Sequence, residues 1–313
     1  MVIGHRQETS ELITWSKLRK KRVPMAIYNL GSINADYFYH VPHLPGPGET
    51  LAATSMSRGL GGKGANMSVA AARAGAHTAH IGAVGEDGKW AIDRLTEFGV
   101  DTRHITNLAD SPMGQALIYV DDAGENSIVL LNGANFQIPN QTIAGALSEA
   151  SPGDTLLMQN ETLNQLEAAK MARSLDLYIA YAAAPFDAAA ATSVLPYLDF
   201  LILNEIEATQ LQEATGKTPE SLGITDVIIT LGGQGARWIN NGTSRDFPAM
   251  LVTPVDTTGA GDTFTGYVLA ARDRGLPMEQ CISLAMRAAA LMVTRQGTAD
   301  VIPDLKDVDE ARF

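Results

Sequence analysis

The chain of 313 residues has one cysteine, Cys281, so it cannot close an internal disulfide. That suits a reducing compartment, and the expected location is cytoplasmic. Basic residues are scarce: 23 Lys and Arg stand against 35 Asp and Glu, for a net charge of −12. Such a balance argues against nucleic acid or an anionic membrane surface as the main partner. No apolar run is long enough to span a bilayer. Residues 1–24 lack the apolar core of a signal peptide. They carry Lys17, Arg19, Lys20, Lys21 and Arg22 beside Trp15 and Leu18, and read as a mobile extension. Internal repeats and low-complexity linkers are absent. What remains is an ordinary globular composition, with 45% hydrophobic residues.

Glycine, by contrast, is concentrated where it can do something specific. The run Asp256-Thr257-Thr258-Gly259-Ala260-Gly261-Asp262-Thr263-Phe264 brackets one small residue with two glycines. The backbone there can turn tightly and approach a ligand. An apolar-periodic segment continues through Val268 and Leu269 to Arg274 and predicts a helix. A turn opening onto a helix N-terminus is a site for anions. Asp262 stands there either as a proton acceptor for an attacking hydroxyl or as a helix cap.

A second run, Gly59-Leu60-Gly61-Gly62-Lys63-Gly64-Ala65-Asn66, leads into an Ala-rich helix suited to tight packing. It is not a P-loop, because Gly64 stands where Ser or Thr must follow the Gly-Lys pair. It is not a dinucleotide fingerprint either, since the glycine spacing fails.

Elsewhere, short apolar runs alternate with helical patterns. Met25 to Leu30, Thr78 to Val84, Thr155 to Met158, Leu177 to Ala180, Phe200 to Leu203 and Val227 to Leu231 read as buried strands. This alternation predicts an α/β fold with a mainly parallel central sheet and helices on both faces. Two segments break the rhythm, about 36–58 and 113–134, with alternating strand-like residues and no helix. They predict a small antiparallel sheet inserted in two pieces.

The two glycine runs together resemble the signatures of the ribokinase-like (PfkB) carbohydrate kinase family. Further segments match in family order: Gly31-Ser32-Ile33-Asn34-Ala35-Asp36, Asn204-Glu205-Ile206-Glu207, and Thr230-Leu231-Gly232-Gly233-Gln234-Gly235. The resemblance covers about residues 25–305. It implies a kinase domain over 25–313 whose small sheet is a lid over the sugar. It places Asn34, Asp36, Gly62, Lys63, Asn66 and Glu161 on the sugar. The resemblance makes Asp262 the catalytic base, with the backbone of Gly259, Ala260 and Gly261 holding the transferring phosphoryl group. Thr230, Gly232 and Gly235 fall on ATP, and Asn204 with Glu207 on Mg2+ and its waters. A monovalent cation, K+, is implied at Asp256, Thr258, Arg295 and Gly297. Val301 stands where the family offers a hydroxyl, so Thr298 or Asp300 would have to replace that ligand. Met286 gives no specific adenine contact.

The expectation is therefore an ATP-dependent kinase acting on a sugar primary hydroxyl, with D-ribose first. Its partners would be small molecules and a second copy of the chain, joined through the lid. The alternatives are a kinase of the same family for fructose, a ketodeoxy sugar acid or a nucleoside, and a sugar-binding sensor without catalysis.

Overall fold

A computed structural model describes residues 25–313; the extension expected to be mobile lies outside the described residues. The chain begins on β1 (Ala26–Leu30), buried throughout, and leaves it for β2 (Asn34–His40) and β3 (Ser55–Gly61). Helix α1 (Lys63–Arg73), β4 (His77–Gly85), α2 (Lys89–Glu97) and β5 (Ile105–Leu108) follow. A second excursion forms β6 (Gly114–Val120) and β7 (Asn126–Leu131). The expected alternation then runs through α3 (Asn140–Leu147), β8 (Thr155–Gln159), α4 (Gln165–Ser174) and β9 (Tyr178–Ala182). It continues through α5 (Ala188–Val194), β10 (Phe200–Asn204), α6 (Glu205–Thr215) and β11 (Asp226–Thr230). A hairpin of β12 (Gly235–Asn240) and β13 (Thr243–Pro248) precedes α7 (Ala260–Asp273), α8 (Met278–Met292) and α9 (Leu305–Glu310).

Nine strands form the main sheet in the order β13-β12-β11-β10-β9-β8-β1-β4-β5. Pairing is parallel from β11 to β5 and antiparallel only along the β11-β12-β13 edge. Successive residues of each strand feed opposite cores. Ile27, Leu157, Phe200, Ile202 and Ile228 pack with α1, α7 and α8. Tyr28, Met158, Leu201, Leu203 and Val227 pack with α3 to α6. The unbroken apolar runs follow from this, because a parallel sheet is covered on both faces. The Ala-rich helix α1 is buried through Ala65, Val69, Ala70 and Ala71, as its small side chains suggest.

The small sheet has the order β3-β2-β6-β7. Each half is an antiparallel pair, β2 with β3 and β6 with β7, and the halves join through a parallel β2–β6 pair. The parallel join has a simple origin. β1 and β5 run in the same direction in the main sheet, so both excursions leave from the same end and set out side by side. The lid strands reach slightly beyond the expected segments, starting at Asn34 and ending at Gly61. Among the described residues, no helix is long and apolar enough to cross a membrane.

Candidate active site

The chemistry-bearing residues collect at the carboxyl ends of the parallel strands, where open α/β sheets bind ligands. β1 ends into Ser32 and Asn34, β8 into Glu161, β10 at Asn204 and β11 at Thr230. The N-termini of α1 and α7 complete the ring with Lys63 and Asp262.

On the sugar side, Asn34 and Asp36 lie on β2, inside the lid sheet rather than at the end of the first strand. The Asn34 Oδ1 accepts from Asn135 Nδ2 at 2.7 Å, which leaves the Asn34 amide N–H groups for a ligand. Asp36 is 5% exposed. Burial first, then the neighbouring Glu161 carboxylate, pushes its pKa up to about 7, with the Lys63 ammonium opposing. Glu161 does not start a helix, since α4 begins at Gln165. One of its oxygens, Oε2, accepts from Ser32 Oγ at 2.5 Å and from the Lys63 backbone N–H at 3.1 Å. Burial raises the Glu161 pKa, with the Lys63 ammonium opposing. Lys63 itself is held above the usual lysine value by the Asp262 carboxylate, with further help from Glu161, Glu207 and Asp36. It is a half-buried cation among carboxylates rather than a freely solvated surface charge. Asn66 Nδ2 donates to Asp262 Oδ2 at 2.9 Å, and Asn66 Oδ1 is buried without a partner. An orphaned buried acceptor is costly unless something donates to it, and a sugar hydroxyl can.

Asp262 is not a helix cap. The N-cap of α7 is Gly259, in the left-handed region at φ 77°, and no side chain caps this end. A side chain at Gly259 would be strained there. The N–H groups of Gly261 and Asp262 have no backbone acceptor and sit at the positive end of a 14-residue helix. Gly259, Gly261 and Asp262 line a cavity of about 280 Å³ together with Lys63, Glu207 and Thr230.

A second cavity of about 400 Å³ adjoins it through Thr257. Its walls are apolar, formed by Met250, Leu251, Val252, Met286, Ala289 and Val293, with Gly232 and Gly233 at the rim. That suits a flat aromatic base. Met286 gives it a wall but no hydrogen bond. Gly235 lines neither cavity; it opens β12 at φ 114° against the Phe247 carbonyl. Asn204 and Glu207 form a reciprocal capping box on α6, each side chain accepting from the other's N–H at 2.8 Å. Glu207 still faces the first cavity, and burial raises its pKa.

The candidate cation loops are brought together by Asp256. Its Oδ1 accepts from Thr258 N–H at 2.9 Å and its Oδ2 from Gly297 N–H at 3.1 Å. The side chain of Arg295 turns away, to the Val301 carbonyl and Asp307. The Thr298 hydroxyl donates to the Leu60 carbonyl at 2.8 Å, which leaves its oxygen lone pairs for a cation. Asp300 accepts from Arg94 through Oδ1 alone. Backbone carbonyls, Asp256, Thr298 and Asp300 are what the two loops offer, and Asp256, Gly297, Thr298 and Asp300 line one cavity.

Sequence reasoning missed Ser32 and Asn135, which hold Glu161 and Asn34. Ser32 lies inside a segment already singled out, so its position was a usable signal. Asn135 had none, because its partner is 101 residues away.

Residues 27–305 match the pfkB family carbohydrate kinase model. Ribokinase from Haemophilus influenzae is 36% identical over 295 residues, spanning 90% of this chain and 96% of that protein. The structure of Cryptococcus neoformans ribokinase in complex with ADP aligns with a TM-score of 0.79 at 32% identity, covering 92% of this chain and 99% of that one. Arabidopsis thaliana ribokinase complexed with ribose and ATP aligns with a TM-score of 0.80 at 27% identity, covering 92% and 98%. The chain belongs to the pfkB family of carbohydrate kinases.

Proposed function

We propose that this kinase transfers the γ-phosphoryl group of ATP to the primary hydroxyl of D-ribose, through one kinase domain spanning 25–313. The observation that carries the reading is the convergence of Asp36, Glu161, Lys63 and Asn66 on Asp262 at the open N-terminus of α7. Fixed carboxylates, amides and an ammonium are what a polyol needs. Asn34, Asp36, the Gly62 backbone, Lys63, Asn66 and Glu161 would hold the sugar. Asp262 would accept the proton of the attacking hydroxyl, while Gly259, Gly261 and Asp262 present N–H groups to the phosphoryl oxygens; the Ala260 N–H, expected to join them, is taken by the Thr257 carbonyl at 3.3 Å. The apolar cavity would take adenine, with Thr230 and Gly232 along the phosphates and Gly235 supporting the β12 turn.

Among the described residues, no cluster of three metal-ligating side chains exists. The half-buried Glu207 with Asn204 fits a magnesium ion held mainly by water and phosphate oxygens, as magnesium prefers. Bound there, Mg2+ would offset charge on the phosphates. The loops tied by Asp256 fit a potassium ion held by the carbonyls of Thr258, Arg295 and Gly297, with Thr298 or Asp300 in place of the family's final side-chain ligand.

A coupled assay with Mg-ATP against D-ribose, fructose, adenosine and 2-keto-3-deoxygluconate tests the substrate. D-ribose should give the highest kcat/KM. Any other acceptor exceeding it tenfold overturns the ribose reading, and sugar binding without turnover of any acceptor would favour a sensor. Run in potassium, sodium and a large organic cation at fixed ionic strength, the same assay should be fastest in potassium. Identical kinetics in all three would remove the cation.

A further inference from the structure

Beneath the sugar side lies a chain of buried polar side chains that the proposed chemistry does not use. Asn29, Ser68, His80 and Gln159 are each 0% exposed. Gln159 Nε2 donates to Asn29 Oδ1 at 2.6 Å. The Asn29 amide donates to the Gly64 carbonyl and to Ser68 Oγ, both at 2.8 Å. Ser68 Oγ meets His80 Nδ1 at 2.8 Å, and His80 Nε2 meets the Gly31 carbonyl at 3.1 Å.

The protons in this chain have one consistent arrangement. A carbonyl only accepts, so His80 Nε2 carries the ring proton. Burial holds His80 neutral, with its pKa pushed down to about 4, so Nδ1 is an acceptor and the Ser68 hydroxyl donates to it. Ser68 Oγ is then free to accept from Asn29. Every link runs in one direction, from Gln159 to Asn29 to Ser68 to His80 to Gly31.

The backbone atoms at the ends of this chain are telling. Gly31 and Gly64 lie back to back: a Cβ on Gly31 would fall 2.5 Å from the Gly64 Cα. Gly31 leads into Ser32, Asn34 and Asp36. Gly64 sits between Lys63 and Asn66. Gln159 ends β8, two residues before Glu161. One network therefore grips all three segments that carry the sugar-facing side chains. Apolar side chains would fill the same space more simply. A hydrogen-bonded network, in which Gln159 Oε1 alone lacks a partner, adds fixed directions that apolar packing does not.

We propose that Asn29, Ser68, His80 and Gln159 form a positioning network that sets the spacing between the segments bearing Asn34 and Asp36, Lys63 and Asn66, and Glu161, and so governs sugar affinity. The proposal rests on the reading of Asn34, Asp36, Lys63, Asn66 and Glu161 as the sugar site. Its signature is one-sided. The nucleotide side is built on β11, α8 and the segment after β13, none of which the network touches.

The test compares steady-state KM values for D-ribose and ATP in the wild type, His80→Phe, and the triple variant Asn29→Val/Ser68→Ala/His80→Phe. KM for D-ribose should rise at least tenfold in both variants, while KM for ATP changes less than twofold. His80→Gln, whose amide can still donate to the Gly31 carbonyl, should recover most of the affinity. Should the larger changes fail to fold, Ser68→Ala cuts the chain between Asn29 and His80 with the loss of one atom and should raise KM for D-ribose about threefold. Wild-type KM for D-ribose in the folded variants would overturn the proposal, as would parallel rises in both KM values. A wild type that ignores D-ribose fails the substrate reading instead. The same KM comparison is then made with whichever sugar it phosphorylates, and decides the network on its own.

Discussion

Asp36 illustrates how binding is built at the expense of the empty fold. Its carboxyl holds a proton to about pH 7 in the folded chain and would release it near 3.8 when unfolded. Between those values the folded state binds more protons, so stability is greatest below the lower value and falls as pH rises to the upper one. Asp36→Asn removes that penalty while keeping the shape. We expect its melting temperature at pH 8 to exceed that of the wild type, and the gain to shrink at pH 5. Its KM for D-ribose should rise at least tenfold, because the charged acceptor for a hydroxyl is gone. A melting temperature at pH 8 equal to or below that of the wild type would contradict the account. Single residues of this kind were legible only where a motif framed them. Asp262, Lys63 and Asp36 lay inside recognisable glycine segments. Asn29, His80 and Asn135 did not, because their roles exist only once residues 35 to 102 positions apart meet.

Strands and helices were easier to read than their contacts. Runs such as Phe200–Asn204 and Asp226–Thr230 are apolar because both sheet faces are covered, and that pattern is visible without coordinates. The parallel join within the lid was not visible, since it follows from the directions of β1 and β5. The Asn204–Glu207 segment reads from sequence as a magnesium pair, and the structure shows that the same two residues form a capping box on α6. The lid also poses a packing problem. β7 is the sheet's edge strand, and its Ile128, Val129, Leu130 and Leu131 are each about half exposed, at 48–55%. An unpaired apolar edge invites a partner. A second copy meeting it through a two-fold axis is the simplest occupant, and the expected particle is a homodimer. Val129 stands opposite Leu117 in register, on the same face of the lid, and Leu131 lies two residues further along β7. Val129→Asp with Leu131→Asp should convert the dimer to a monomer near 33 kDa in sedimentation. A wild-type monomer at micromolar concentration would remove the dimer, and a dimer surviving both changes would place the interface elsewhere.

At the scale of the whole molecule, parallel order from β11 to β5 puts the carboxyl ends of those strands on one side, and the lid rises from that same side. The result is a polar cavity of about 280 Å³ beside an apolar one of about 400 Å³, meeting at the N-terminus of α7. Lys63, Asn204, Glu207, Thr230 and Asp262 line the first, apolar side chains line the second, and Thr257 borders both. The central claim is that Asp262 deprotonates the sugar hydroxyl at that junction. It is tested most directly by the kcat of Asp262→Asn with D-ribose and Mg-ATP. Loss of a general base should lower kcat by about 10²- to 10⁴-fold with little change in either KM, because the group acts mainly in the transition state. A variant that keeps near-native kcat would contradict the account.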